Sequence, residues 1–160
     1  MERSRRRLRF GEGPVAITGV EIAAVDTSWR YIASPQTPPG VVYPRAGKWV
    51  LECAHDVHEE TWRTVKSATR SGSLGFAART TVTNDSTSRP VTLVYTYDFE
   101  DHDDVLRVLG ALRALGFAER LAYASGEDTA GRPYAEDATI YVSEPGTSSF
   151  EDRRSDPMSR

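Results

Sequence analysis

Cysteine is nearly absent: Cys53 is the only one in 160 residues. An intrachain disulfide is therefore excluded, and a cysteine-based zinc site has too few ligands. The lone thiol fits a reducing, cytoplasmic setting. Long apolar runs are also missing, with nothing near the roughly 18 residues that span a bilayer. The first ten residues, MERSRRRLRF, carry charge but are followed by no apolar stretch of signal-peptide length, so no secretion signal is expected. Self-sufficient catalytic motifs are absent as well. There is no GxxxxGK[ST] or GxGxxG loop to cradle phosphates, and SGSLG at 71–75 is not a GxSxG nucleophile turn. His55 and His58 stand three apart, beside Asp56, Glu59 and Glu60, rather than at the i, i+4 spacing of the helical zinc motif. They read as a solvated helix start, and neither a metal nor a cofactor is expected. The acidic run DFEDHDD around His102 does not have the ligand spacing of an EF-hand loop and reads as helix capping.

Lysine is scarce too. Of 20 basic residues only Lys48 and Lys66 are lysines, and both fall in the most regularly patterned part of the chain. A neutral amine can serve as a base, whereas a guanidinium almost never does. The net charge of −3 is uneven. Five arginines against Glu2 give residues 1–9 a side-chain charge of +4, which leaves −7 for the rest. Such an arm suits phosphate backbones or simple solvation. The acidic body argues against a broad nucleic-acid face, so nucleic acid is expected only at the arm or on a sheet face. No membrane contact is expected, and the pattern leaves the oligomeric state open.

Hydrophobic periodicity divides the chain into an arm (1–13), one α+β domain (14–144) and a disordered tail (145–160). Residues 14–24 read as a short strand or helical turn. TSWRYIAS (27–34) and GKWVLECA (47–54) alternate as strands. In the second, Trp49, Leu51 and Cys53 face one way and Lys48, Val50 and Glu52 the other. A helix over 57–70 places Trp62, Val65 and Thr69 on one stripe, with Asp56 as its cap and Gly72 and Gly75 at its end. Strands follow at 76–82 and 91–97. A helix at 101–115 lines one face with Val105, Val108, Leu109, Leu112 and Leu115, starts at Asp101 and stops before Gly116. Strands at 119–124 and 139–143 complete the set. Strand–helix–strand thus occurs twice. Amphipathic helices with two-faced strands predict a curved, largely antiparallel sheet with helices on one face and the other open to water or ligand.

Trp49 and Trp62 have the phase of core residues. Tyr95, Tyr97 and Tyr141 are candidates for the open face. Arg79, in mid-strand, could hold a phosphate bidentately from that face.

The stretch GKWVLECA, the helix with Trp62 and Lys66, SGSLGFAARTTV and VYTYDFEDHDDVLRVLGALRALGF together resemble the Bles (basophilic-leukaemia-expressed) family over roughly 25–143. That family often carries a phosphothreonine lyase label, and its fold resembles the mRNA cap-binding initiation factor. GKWVLE looks like that factor's G-[RK]-W strand. The preceding loop, QTPPGVVYPRA, has Tyr43 but neither the tryptophan nor the acid that cap recognition uses. The lyase label implies a neutral amine, a proton donor and an anion clamp acting on a phosphorylated peptide or protein. Lys48 or Lys66 would be the base, His58 or His55 the acid, and Arg79 or Arg63 the clamp. The alternative is a module that binds a nucleotide, RNA end or phospho-ligand on the open face through Arg79, Lys48, Tyr95 and Tyr97 without turnover. Convergence of lysine, histidine and arginine on one pocket separates the two.

Overall fold

The computed structural model describes residues 22–23, 29–38, 43–82, 89–125 and 139–155. The arm expected at 1–13 lies outside these residues, as does most of the segment expected at 14–24. The strands are β1 (Ile22–Ala23), β2 (Trp29–Ala33), β3 (Gly47–Glu52), β4 (Ala77–Thr81), β5 (Val91–Thr96), β6 (Leu121–Ser125), β7 (Thr139–Ser143) and β8 (Glu151–Asp152). The helices are α1 (His58–Arg70), led in by a 3-10 turn at His55–Val57, and α2 (His102–Ala114). One sheet runs in the order β1-β2-β4-β5-β3-β6-β7-β8, and every neighbouring pair is antiparallel.

The centre of that order explains the doubled strand–helix–strand pattern. β3 and β4 both run against β5, so they are parallel to each other with β5 between them. β5 and β6 both run against β3, so they too are parallel with one strand between. Each helix carries the chain over an intervening strand, which is the split β-α-β arrangement of ferredoxin-like folds. Two strands extend this centre on either side.

Register sorts the side chains onto two faces. Ile32, Ala78, Val94, Trp49, Tyr123 and Tyr141 are aligned across six strands. They meet Trp62 and Val65 of α1 and Val105, Val108, Leu109 and Leu112 of α2 in the main core. Trp49 is fully buried and donates its indole N–H to the Val105 carbonyl at 3.2 Å, so its polar atom is satisfied on burial. Tyr141 therefore belongs to the helix-covered face and not, as the sequence suggested, to the open one.

The opposite face is less open than the patterning implied. A second cluster of Trp29, Val50, Phe76, Ala77, Val91, Leu93 and Tyr95 lies there, with Tyr31, Tyr43 and Ala46 packed against it.

Local chemistry fixes the element ends. Asp101 caps α2 by accepting from the Asp104 amide at 3.2 Å. At the other end the helix stops at Ala114, so Leu115, expected on the buried stripe, is its C-cap and stands exposed. Asp56 does not cap α1: the 3-10 turn moves the helix start to Val57, which makes no side-chain cap bond. Gly72 ends α1 with φ +84°. Gly75 has a different role from the expected helix stop. A Cβ there would collide with the Tyr95 carbonyl oxygen, so only glycine allows β4 to enter the sheet beside β5.

The segment expected as tail is structured up to residue 155. β8 pairs with β7, Phe150 stacks on Tyr141 at 4.3 Å, and Arg154 bonds Asp152, Glu100 and the Tyr141 hydroxyl. Its polar composition hid a single aromatic anchor and a chelated arginine.

Candidate functional site

Both β3 and β4 place a cation on the face away from the helices. Lys48 and Arg79 are the most deeply buried lysine and arginine among the described residues, at 1% and 3% exposure. Lys48 sits on the rung of Tyr95 and Ala77, and Arg79 on the rung of Leu93, Val50 and Tyr31. Two strand spacings and a two-residue offset put their α-carbons roughly 12 Å apart. Aromatic rings flank both: the Lys48 amine lies 5.8 Å from the Tyr95 ring and the Arg79 guanidinium 5.5 Å from the Trp29 ring. Burial pushes the Tyr31 hydroxyl well above its ordinary range, and the nearby Arg79 charge only partly offsets this. Both cations are engaged within the chain in this conformation. Lys48 is thus a buried group, not the exposed strand residue that is the usual state of a strand lysine.

Tyr95 shares this face but is buried. Tyr97, two residues on, is 38% exposed. Its ring stacks on Phe76 at 4.9 Å, and Tyr43 meets it edge-on at 4.7 Å.

The remaining candidates are on the other side of the sheet. His58, Arg63 and Lys66 all belong to α1, which packs on the helix-covered face. His58 is buried with Nε2 2.9 Å from the Thr80 hydroxyl, which in turn lies 2.8 Å from that of Thr92. Burial lowers its pKa. Arg63 is exposed and Lys66 partly so, while His55 is exposed in the 3-10 turn. The structure therefore brings Lys48, Arg79, Tyr95 and Tyr97 onto one face and separates them from His58, Arg63 and Lys66 by the sheet itself. Among the described residues no group of three His, Cys, Asp or Glu side chains is placed to hold a metal.

The second face also carries a cleft that sequence reasoning missed. It has a volume of about 330 Å³ and lies over the Val50–Ala122 rung. Ala122, small and paired with Val50 across the strands, and Thr139 line it. Glu52, Arg89, Glu119 and Arg120 form its charged rim. Arg89 Nε is 3.9 Å from Glu52 and Arg120 Nε is 3.7 Å from Glu144. These are long contacts between exposed side chains, which water screens and a ligand displaces at little cost. The rim is anchored from below. Arg113 donates to the carbonyls of Phe117, Glu119, Glu144 and Thr147 and to the Ser143 hydroxyl, at 2.7–3.0 Å. That fixes the turn from which Glu119 and Arg120 project. One signal for the cleft was present in the sequence: Leu121 and Tyr123 alternate with Ala122 and Ala124, and the two alanines fall on the face opposite the helices.

The family model of the basophilic leukemia-expressed protein Bles03 matches residues 41–124, which is the split β-α-β centre with its two helices. No curated protein matches the chain.

Proposed function

The chain belongs to the Bles03 family, and from that premise we propose that it is a binding module for a phosphate-bearing ligand, held in the cleft on the second sheet face without turnover. The observation that carries this reading is the cleft itself: about 330 Å³, lined by the apolar Val50 and Ala122 and by the guanidinium-bearing Arg89 and Arg120. That volume lies at the lower end of the range of roughly 300–1,000 Å³ typical of small-ligand sites. Two guanidinium groups whose present ion pairs are long and solvated can turn to a phosphate, which they grip in a fork geometry.

Phosphate elimination, the chemistry of the lyase label, needs an amine, an acid and an anion clamp within reach of one substrate. Lys48 and Arg79 share a face, but both are buried, and His58 is across the sheet against Thr80. Binding needs none of this convergence and is the reading that the geometry favours.

The test is titration calorimetry with a nucleoside monophosphate, a phosphothreonine peptide and inorganic phosphate, with mass spectrometry of the recovered peptide. Binding weakened about tenfold by Arg120→Ala or Arg89→Ala, with the peptide intact, is the expected result. Loss of phosphoric acid from the peptide, abolished by Lys48→Ala, would replace this reading with the lyase.

A further inference from the structure

The last described segment of the chain lies on the outer edge of β7 as a bound peptide strand would. β8 pairs through Glu151 with Val142 and through Asp152 with Tyr141. Beside it, Phe150 is ringed by side chains from three other elements. It stacks on Tyr141 of β7 at 4.3 Å and meets His102 of α2 at 5.5 Å and Trp49 of β3 at 6.3 Å, both edge-on. Four residues on, Arg154 donates to the Glu100 carboxylate at 2.7 Å and to the Tyr141 hydroxyl at 3.2 Å. An aromatic cage and an acidic notch along one sheet edge are the parts of a strand-addition site, where backbone pairing gives affinity and side-chain pockets give specificity. The hold on the segment is slight. β8 pairs with two of the five residues of β7. The Arg154 and Glu100 side chains are 37% and 41% exposed, so water screens their attraction. The turn before the segment is fastened separately, because Arg113 bonds the Ser143 hydroxyl and the Glu144 and Thr147 carbonyls. The segment can therefore leave without unravelling β7.

We propose that this edge is a docking site for an extended segment of another protein that carries an aromatic residue and, four places on, an arginine. Residues 150–154 occupy it in cis as a built-in competitor. The aromatic side chain fills the cage of Trp49, His102 and Tyr141, and the arginine pairs with Glu100. Being tethered, the cis segment has a high effective concentration. A second copy's 150–154 would make the same contacts and gain nothing over it. A foreign strand gains where β8 is short, because β8 reaches neither Thr139 nor Ile140 of β7. Trp49 and Tyr141 belong to the helix-covered face, so the site is independent of the cleft on the other side of the sheet.

The experiment is fluorescence anisotropy of a labelled peptide of residues 149–155 against the full chain, its Arg154→Ala variant, its Phe150→Ala/Arg154→Ala double variant, and that double variant with Glu100→Gln. With its cis competitor disabled, the double variant should bind the peptide about tenfold more tightly than the unsubstituted chain, and Arg154→Ala should fall between. Peptides carrying Phe150→Ala or Arg154→Ala should bind the double variant about tenfold more weakly. Glu100→Gln should weaken the peptide that has the arginine and leave the one without it unchanged, a coupling that a loosened fold does not produce. A double variant that keeps a cooperative thermal transition yet does not bind, or binds the alanine-substituted peptides equally well, would overturn the proposal. If the double variant does not fold, Arg154→Ala decides. Tighter binding than the unsubstituted chain supports the site, and binding no tighter makes the segment part of the fold and not an occupant. A concentration-dependent dimer of the unsubstituted chain that Phe150→Ala/Arg154→Ala abolishes would overturn the choice of a foreign strand, because the segment then exchanges between copies.

Discussion

His58 shows how one side chain can change its meaning between sequence and structure. In the string HDVHEE it reads as solvated or as a proton donor. In the fold it lies under α1, bonded to Thr80 within the Thr80–Thr92 pair. Burial is the largest influence on its pKa and lowers it from 6.5; the Glu59 carboxylate acts against this, and the Arg30 and His55 charges add to it. The unfolded chain therefore binds the proton more readily than the folded one, and stability rises with pH wherever that difference exists. Well above pH 6.5 both states are neutral at this site and it contributes no pH dependence. As pH falls below that value the folded state should weaken, seen as a falling urea midpoint, and His58→Gln should flatten the slope. An unchanged slope in the variant would assign the acid sensitivity to other groups. Arg113 is a residue that sequence reading could not find, since its five acceptors are four backbone carbonyls and one hydroxyl brought together only by the fold. Arg113→Ala leaves those acceptors without their donor and should cost about 3 kcal/mol in chemical unfolding. A cost below about 1 kcal/mol would show that water replaces the guanidinium there.

At the scale of elements, period-2 and period-3.6 patterning located β2 to β7 and both helices to within two or three residues. These signals are local, and each element buries a stripe that its own sequence spells out. What patterning did not reveal was set by partners distant in sequence. β4 inserts between β2 and β5, and nothing within AARTT announces that neighbour. β8 has two residues and is held by Phe150 and Arg154, so composition alone made it a tail. Lys48, Arg79, Tyr95 and Tyr97 were legible as one group because strand alternation is enough to place them on a common face. The cleft was not, because a void comes from the side chains that are missing, and Ala122 speaks only when its rung partner Val50 is known. Gly75 links element to sheet. Its absent Cβ admits the Tyr95 carbonyl, and the Phe76 amide donates to that oxygen at 3.2 Å. Gly75→Ala must push β4 away from β5 backbone to backbone, with a cost of about 3 kcal/mol or more. A variant with an unchanged denaturation midpoint would mean that the strand entry adjusts freely.

For the whole molecule, the family match and the hydrophobic core do not coincide. Residues 41–124 contain β3, α1, β4, β5, α2 and nearly all of β6, a complete split β-α-β centre. Yet the main core closes with side chains from outside it. Ile32 comes from β2, Ile140 and Tyr141 from β7, and Phe150 from the segment before β8. Tyr141 stacks on Tyr123 at 5.2 Å and bonds the Phe99 carbonyl, so its removal would uncover both an aromatic core residue and a backbone acceptor. Without β2 and β7, the edges of β4 and β6 would also present unpaired backbone to solvent, a template for association. A fragment of 41–124 should therefore lack a cooperative thermal transition and should self-associate, while 22–155 should unfold in one step. Differential scanning calorimetry with light scattering decides this. A sharp, concentration-independent transition in the short fragment would mean that the central strands and helices suffice, and that the flanking strands were added around an autonomous domain.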